Sequence, residues 1–346
     1  MRIALDAMGG DHAPGVNVDG AVSAARELGI ESFLVGPEKI VGPLLREKGQ
    51  GLPIEIVDAD EVVGMDESPV EAIRKKRNSS LRVSARLVRE GKAGAMVSAG
   101  NTGATLAAAK LVIGTVRGVD RPGLAMLLPN PGGFTVLIDV GANVDVKARH
   151  LLEFGVMGHF YSEIILGREK PKVALLSVGE EEGKGNDLTR EAFELLRESG
   201  LNFVGNCEGR DLFRGGVDVV VCDGFTGNVV LKASEALGEM IRQLLREELG
   251  RDLRSKIGAL LAKPALSKMM KRVDYAEYGG APMLGLKGGC IVCHGRSNAR
   301  AIRNALRVGD EFVRNGIPAR VAAKVAEIEP DGPAPSGGTE ASRGCS

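Results

Sequence analysis

Residues 217–232 read VDVVVCDGFTGNVVLK. An apolar run, Val217–Cys222, gives way to a polar turn, Asp223–Asn228. A helical spacing then follows, in which Leu237, Met240, Ile241, Leu244, Leu245 and Leu249 predict one buried face over Ser234–Leu249. A run that is apolar without alternation suits a strand covered on both faces. The same reading applies to Ile3–Ala7, Ser32–Val35, Ile54–Val57, Ala95–Ser98, Leu124–Leu128, Thr135–Ile138, Val173–Ser177 and Cys290–His294. Helical patterns lie between them, including Pro69–Glu90, Ala148–Leu166 and Asp187–Glu198. Strand–helix alternation of this kind predicts an α/β fold with a doubly wound, largely parallel sheet between helix layers. One large α/β unit is expected over 1–328, with a helical excursion near 234–276. Residues 329–346 lack an apolar pattern and read as a disordered tail.

Composition narrows the function. The chain has 346 residues, with 45 basic and 45 acidic side chains and no net charge, so it carries no electrostatic footprint for nucleic acid. It has no Trp and three Tyr, which also speaks against base-stacking platforms. Hydrophobic residues at 44% and charged residues at 26% are globular values. No apolar run approaches the roughly eighteen residues that cross a bilayer. The first residues read as a strand rather than a signal peptide. The cysteines at 207, 222, 290, 293 and 345 are odd in number and sit mostly in apolar runs, the usage of a reduced, cytoplasmic protein. Glycine is the unusual residue: 48 of them, about twice average usage, cluster just after the apolar runs.

Those glycine turns stand where open parallel sheets bind ligands, beyond the carboxyl ends of strands and at helix N-termini. The turns are Met8–Pro14, Ser98–Ala104, Asp139–Asn143, Gly179–Asn186, Asp223–Asn228 and His294–Asn298. Each can be a structural turn. All six at one sheet edge predict a shared pocket for a small oxyanion. Gly100–Ala104 and Gly224–Asn228 open helices, whose N–H groups and dipoles favour phosphate by about 0.3–1 kcal/mol each. Lys184, on a glycine-flanked turn, supplies a full positive charge; the alternative is a loop lysine paired with Glu180–Glu182.

Two nucleotide motifs are approached and missed. Gly179–Gly185 is one residue short of a P-loop, has Gly185 where Ser or Thr should stand, and carries three glutamates. Gly183-Lys184-Gly185 lacks the third glycine of a dinucleotide turn. Cys290–His294 spells a haem-attachment pattern, but Ile291 and Val292 make it a buried strand. No second Cys/His pair has zinc spacing, and His150 and His159 on a predicted helix read as surface or satisfied core residues. No metal and no cofactor are expected.

Arg251–Arg272 is basic, with Arg251, Arg254, Lys256, Lys263, Lys268, Lys271 and Arg272 against Asp252, around an apolar stretch, Ile257–Ala262, broken at Pro264. Such a segment suits reversible seating on an anionic membrane surface through Ile257, Leu260, Leu261, Lys263 and Leu266. A hairpin packed at a subunit interface fits equally well. A second basic run, Arg74–Arg77 with Arg82, Arg86 and Arg89, reads as a solvated helix face or a seat for an acidic protein.

Taken together, MRIALDAMGGDHAP (1–14), VSAGNTGA (97–104), DVGAN (139–143), VGEEEGKGN (178–186), VDVVVCDGFTGNVVLK (217–232), YGGAPMLGL (278–286) and HGRSNARAI (294–302) resemble the bacterial phosphate acyltransferase family of phospholipid synthesis. The resemblance implies a fold like phosphotransacetylases and isopropylmalate-type dehydrogenases, a homodimer, no metal and loose membrane association. It implies attack of inorganic phosphate on an acyl carrier protein thioester, and acyl phosphate passing to a membrane glycerol-3-phosphate acyltransferase. Lys184 is then expected to hold phosphate or the developing oxyanion. Asn101 and Thr102, with Thr226 and Asn228, would supply donors beside Gly100, Gly103 and Gly227. His12 is a candidate proton carrier, Asp223 would orient Lys184 or a backbone turn, and Asn143 and Asn186 would close the pocket. The competing expectations are a metal- and NAD-dependent decarboxylating dehydrogenase on a similar fold and a non-catalytic membrane scaffold.

Overall fold

The computed structural model describes residues 1–273, 277 and 279–328; the tail expected at 329–346 lies outside them. One sheet runs through the molecule. Its strands are β1 (Arg2–Asp6), β2 (Ser32–Gly36), β3 (Ile54–Asp58), β4 (Ala93–Ser98), β5 (Gly123–Asn130), β6 (Gly133–Ile138), β7 (Val173–Leu176), β8 (Phe203–Cys207), β9 (Val219–Val221), β10 (Ala281–Leu284) and β11 (Gly289–Val292). Their spatial order is β3-β2-β1-β4-β11-β10-β5-β6-β9-β7-β8. The helices are α1 (Gly15–Leu28), α2 (Glu38–Gly49), α3 (Pro69–Lys75), α4 (Ser80–Arg89), α5 (Thr102–Ala108), α6 (Ala148–Leu166), α7 (Asp187–Glu198), α8 (Asp211–Arg214), α9 (Gly224–Gly250), α10 (Leu253–Val273), α11 (Ala299–Arg314) and α12 (Ile317–Ile328).

The strands are buried because both faces are covered: Ile3, Leu5, Val97, Ile138 and Val220 have no exposure. On one face Phe154, Met157 and Tyr161 of α6 are fully enclosed with Phe312, Val321 and Val325 of α11 and α12. Each such burial contributes about 1.5–3 kcal/mol. The pattern over Pro69–Glu90 resolves into two helices, because Glu61 takes the backbone between them. Its carboxylate accepts from Asn78 N at 2.7 Å and its carbonyl from Ser80 N at 3.1 Å. Ser79 then caps α4, accepting from Arg82 N.

Strand direction corrects the expectation of a single loop-bearing edge. β1, β4 and β11 are parallel neighbours, as are β6, β9 and β7. Between the two sets the chain reverses at β11–β10, at β10–β5 and at β5–β6. An odd number of reversals leaves the second set opposed to the first. The turns after β1, β4 and β11 therefore stand at one end of the strands, and those after β6, β7 and β9 at the other.

The α9–α10 hairpin brings a second correction. The apolar face expected to be buried is open: Leu237 is 53% exposed and Leu244 51%. Within the single chain only Gly224 and Gly227 of α9 are buried, because beyond its first turns the helix has chiefly α10 to lie against. Pro264 does not break the chain either; α10 runs through it.

Candidate functional site

At the first end, Asp6 closes β1 with a buried carboxylate. Ser98 Oγ donates to Asp6 Oδ2 at 2.8 Å, Met8 N donates to Oδ1 at 3.2 Å, and Gly100 N donates to Ser98 Oγ at 3.1 Å. A Cβ on Gly9 would stand 2.7 Å from both Asp6 Oδ2 and Gly100 N, so only glycine lets the two turns touch. Asp11 N donates to Gly295 O at 2.8 Å and brings in the turn after β11. Burial pushes the Asp6 carboxyl above its usual range, opposed by the hydroxyl and amide donors around it.

The candidates at this end are largely committed to structure. Asn101 Oδ1 caps α5 by accepting from Ala104 N at 3.0 Å, while its Nδ2 donates to Met65 O at 2.7 Å. Gly103 packs against Pro69. Gly100 is buried, Thr102 is exposed at the first turn of a seven-residue helix, and His12 is exposed.

The opposite end is built on Asp139. This buried carboxylate accepts from Leu124 N at 2.9 Å and Ala142 N at 3.0 Å through Oδ1, and from Asn143 N at 2.6 Å and Asn143 Nδ2 at 3.0 Å through Oδ2. Asn143 Nδ2 also reaches Pro122 O at 2.8 Å, and Gly224 N donates to Asn143 O at 2.8 Å. A Cβ on Gly227 would fall 1.9 Å from Asp139 O, which is what requires glycine in the first turn of α9. Asp223 caps that helix, accepting from Thr226 N at 2.9 Å and Thr226 Oγ1 at 2.7 Å. Of its two expected roles, the structure gives Asp223 the backbone turn. Asn143 is likewise spent inside the Asp139 turn.

Three side chains remain available. Asn228 is exposed at the start of α9, beside Gly141. Asn186 caps α7 through Oδ1, accepting from Thr189 N at 2.9 Å, and its Nδ2 makes no hydrogen bond among the described residues. Lys184 is exposed on the turn after β7, the strand beside β9. Of its neighbouring acids, Glu180 pairs with Arg210 at 2.8 Å and Glu182 with Arg197 at 3.9 Å, while the Glu181 carboxylate and the Lys184 side chain both lie beside Gly179. Lys184 itself makes no ion pair among the described residues. Lys184, Asn186 and Asn228, with the α9 amides, thus stand at one end of adjacent parallel strands, whereas His12, Gly100, Asn101, Thr102 and Gly103 belong to the other.

Among the described residues cysteine takes no visible part. Cys207, Cys222, Cys290 and Cys293 are buried and free. Burial pushes Cys207, Cys290 and Cys293 to about 12 and raises Cys222 well above its usual value. Because the thiolate is the reactive form, iodoacetamide at pH 7.5 is expected to leave these four unlabelled in the native chain and to label them in urea. Peptide mass mapping that finds any of them alkylated without denaturant would contradict their placement. His150 is a satisfied core residue: Nε2 lies 2.9 Å from Asp120 Oδ2, and Nδ1 accepts from Lys147 N at 3.0 Å. Among the described residues no group of three His, Cys, Asp or Glu is placed to hold a metal ion. Sequence reasoning passed over Asp6 and Asp139 as organisers. The available signal was a lone acid closing an apolar strand immediately before a glycine turn.

Comparison with known proteins agrees with this architecture. The phosphotransacetylase of Streptococcus pyogenes superposes with a TM-score of 0.60 at 20% identity, covering 94% of each chain. A branched-chain phosphotransacylase of Enterococcus faecalis gives 0.56 at 16% identity over 90% of this chain and 99% of its own. At such identities these likenesses establish the fold alone. A phosphate acyltransferase of Citrifermentans bemidjiense is 50% identical over 348 residues, 98% of this chain and 99% of its own. That of Aquifex aeolicus is 50% identical over 335 residues, covering 96% and 99%. The profile of the family described as "Fatty acid synthesis protein" matches residues 1–320, and the chain belongs to that family.

Proposed function

We propose that this protein is a phosphate acyltransferase: it moves an acyl group from a thioester to inorganic phosphate. A phosphate oxygen bonds to the thioester carbonyl carbon, the C–S bond breaks, and its electron pair leaves on sulfur, giving acyl phosphate and thiol. A thiol near pKa 8.5 departs without strong acid help, so the protein's task is to hold phosphate and stabilise the tetrahedral oxyanion. The observation that carries this reading is Lys184, whose ammonium makes no ion pair among the described residues and stands at the same strand ends as the α9 amides and the open Asn228 amide. Lys184 holds the anion, and Asn228 with the first amides of α9 completes the seat. Transfer is direct, with no acyl-enzyme.

The donor is an acyl carrier protein thioester, and the product serves a membrane acyltransferase that consumes acyl phosphate. No helix among the described residues is long and apolar enough to cross a membrane. Peripheral seating on an anionic membrane surface is supported by Ile257, Leu260 and Leu261 of α10, which are 52%, 69% and 79% exposed beside Lys263. The open α9 face of Leu237, Met240 and Leu244 suits pairing with a second copy. A Leu260→Asp/Leu261→Asp variant is expected to lose most of its co-sedimentation with phosphatidylglycerol vesicles while keeping its turnover. Unchanged pelleting would remove the hairpin from membrane seating.

The function itself is tested by incubating the chain with acyl carrier protein thioester and phosphate, then trapping with hydroxylamine. Phosphate-dependent acyl hydroxamate is expected. Its absence, or an isolable acyl-enzyme formed without phosphate, contradicts the reading.

A further inference from the structure

An ammonium group stabilises a developing oxyanion only where it is held in place beforehand, and Lys184 stands exposed on the Gly179–Asn186 turn. That turn is bonded both to itself and to the edge of the sheet. Lys184 N donates to Glu181 O at 3.0 Å. The same carbonyl accepts from Asn206 Nδ2, on β8, at 2.9 Å. The Asn206 amide and the Lys184 backbone therefore share one acceptor. Ser177 N donates to Cys207 O at 2.9 Å, which ties the approach to the turn to the residue after Asn206. Gly179 leaves room for the packing: a Cβ there would stand 3.1 Å from Lys184 Cγ and 2.9 Å from Glu181 Oε2.

Two features of Asn206 go beyond what an edge strand needs. The first is a bulge. Val173 pairs with Phe203 and Leu175 with Asn206, so β8 holds one residue more than β7 over that span. Gly205 takes up the extra residue at φ 96°, a conformation that favours glycine. Bulges are uncommon between parallel strands, and beside active sites they re-aim a side chain. The second feature is an unmet hydrogen bond. Asn206 is 9% exposed, and its Oδ1 is buried with no partner among the described residues. A leucine there would leave no polar atom unpaired. It would also lack the N–H that reaches Glu181 O.

We propose that Asn206 is a positioning residue: through Glu181 O it fixes the backbone of Lys184, and with it the place of the ammonium. This role rests on the acyl-transfer reading, and Asn206 acts through Lys184 rather than on the substrate.

Steady-state kinetics of the full chain test it with Asn206→Leu and Asn206→Ser, each alone and combined with Lys184→Ala. Leucine removes the donor and the unpaired acceptor together, and the serine hydroxyl stops short of Glu181 O. Each single variant is expected to lower kcat roughly tenfold, because a displaced catalytic group loses its alignment. The KM for acyl carrier protein thioester is expected to stay level, and the thermal midpoint of Asn206→Leu to stay level or rise. In the Lys184→Ala background neither substitution should cost anything more, since residues acting as a unit are not additive. Wild-type kinetics in both single variants overturn the role. A loss of the same size with and without Lys184 overturns it too, and assigns Asn206 to the fold. A wild-type chain that makes no acyl phosphate overturns the acyl-transfer reading itself.

Discussion

Lys184→Ala is expected to slow acyl phosphate formation by roughly 10²–10³-fold, the cost of removing one donor preorganised for a developing oxyanion. The thermal midpoint is expected to stay where it is, because the side chain is exposed and makes no ion pair among the described residues. Lys184→Arg should recover only part of the rate, since a fork does not occupy the position of a point charge. The progress of the hydroxylamine-trapped reaction checks this. An alanine variant with wild-type turnover removes Lys184 from the mechanism.

Asp139→Asn is expected to damage the fold itself. The carboxylate faces N–H groups on both oxygens, so an amide placed either way turns its NH₂ toward donors. At least two buried donors then lose their acceptor, at about 1–3 kcal/mol each. Urea unfolding should show the loss, and activity should fall with it because the same turn seats Gly224 and Gly227. Burial raises the Asp139 carboxyl above 3.8 despite those donors. Between 3.8 and that raised value the folded chain holds a proton that the unfolded chain has released. This group's contribution to stability therefore falls as pH rises through that window and is level above it. The gap between wild type and variant should narrow over the same range. Equal urea midpoints for the two proteins would show that Asp139 does not organise the turn.

Strand–turn–helix alternation was legible because runs such as Val173–Ser177 and Val217–Cys222 cannot sit anywhere but a covered sheet, and Asp187–Glu198 is helical with the bounds expected. Two strands escaped notice. Phe203–Cys207 is the edge strand β8 and only partly buried, and Ala281–Leu284 is short and contains Pro282. Strand polarity was the larger omission. Pro129-Asn130-Pro131-Gly132-Gly133 marks a tight turn that forces β5 and β6 antiparallel. Passing over that turn placed six loops at one end of the strands when they divide between two.

The site was half legible for a related reason. Glycine turns and a lone lysine are visible in a sequence, but the partners of a polar side chain are not. Asn101, Asn143 and Asp223 have the right chemistry for an oxyanion, and the backbone takes it up first. The α9 face at Leu237 and Leu244 read as core because periodicity records amphipathicity without saying what covers it.

The most direct test of the phosphate seat is a crystal structure of the full chain soaked with inorganic phosphate. An anion bonded to the Lys184 ammonium and the first amides of α9 is the expected result, together with its loss in Lys184→Ala crystals. An anion held instead at Gly100–Thr102, with the Lys184 turn empty, would contradict it.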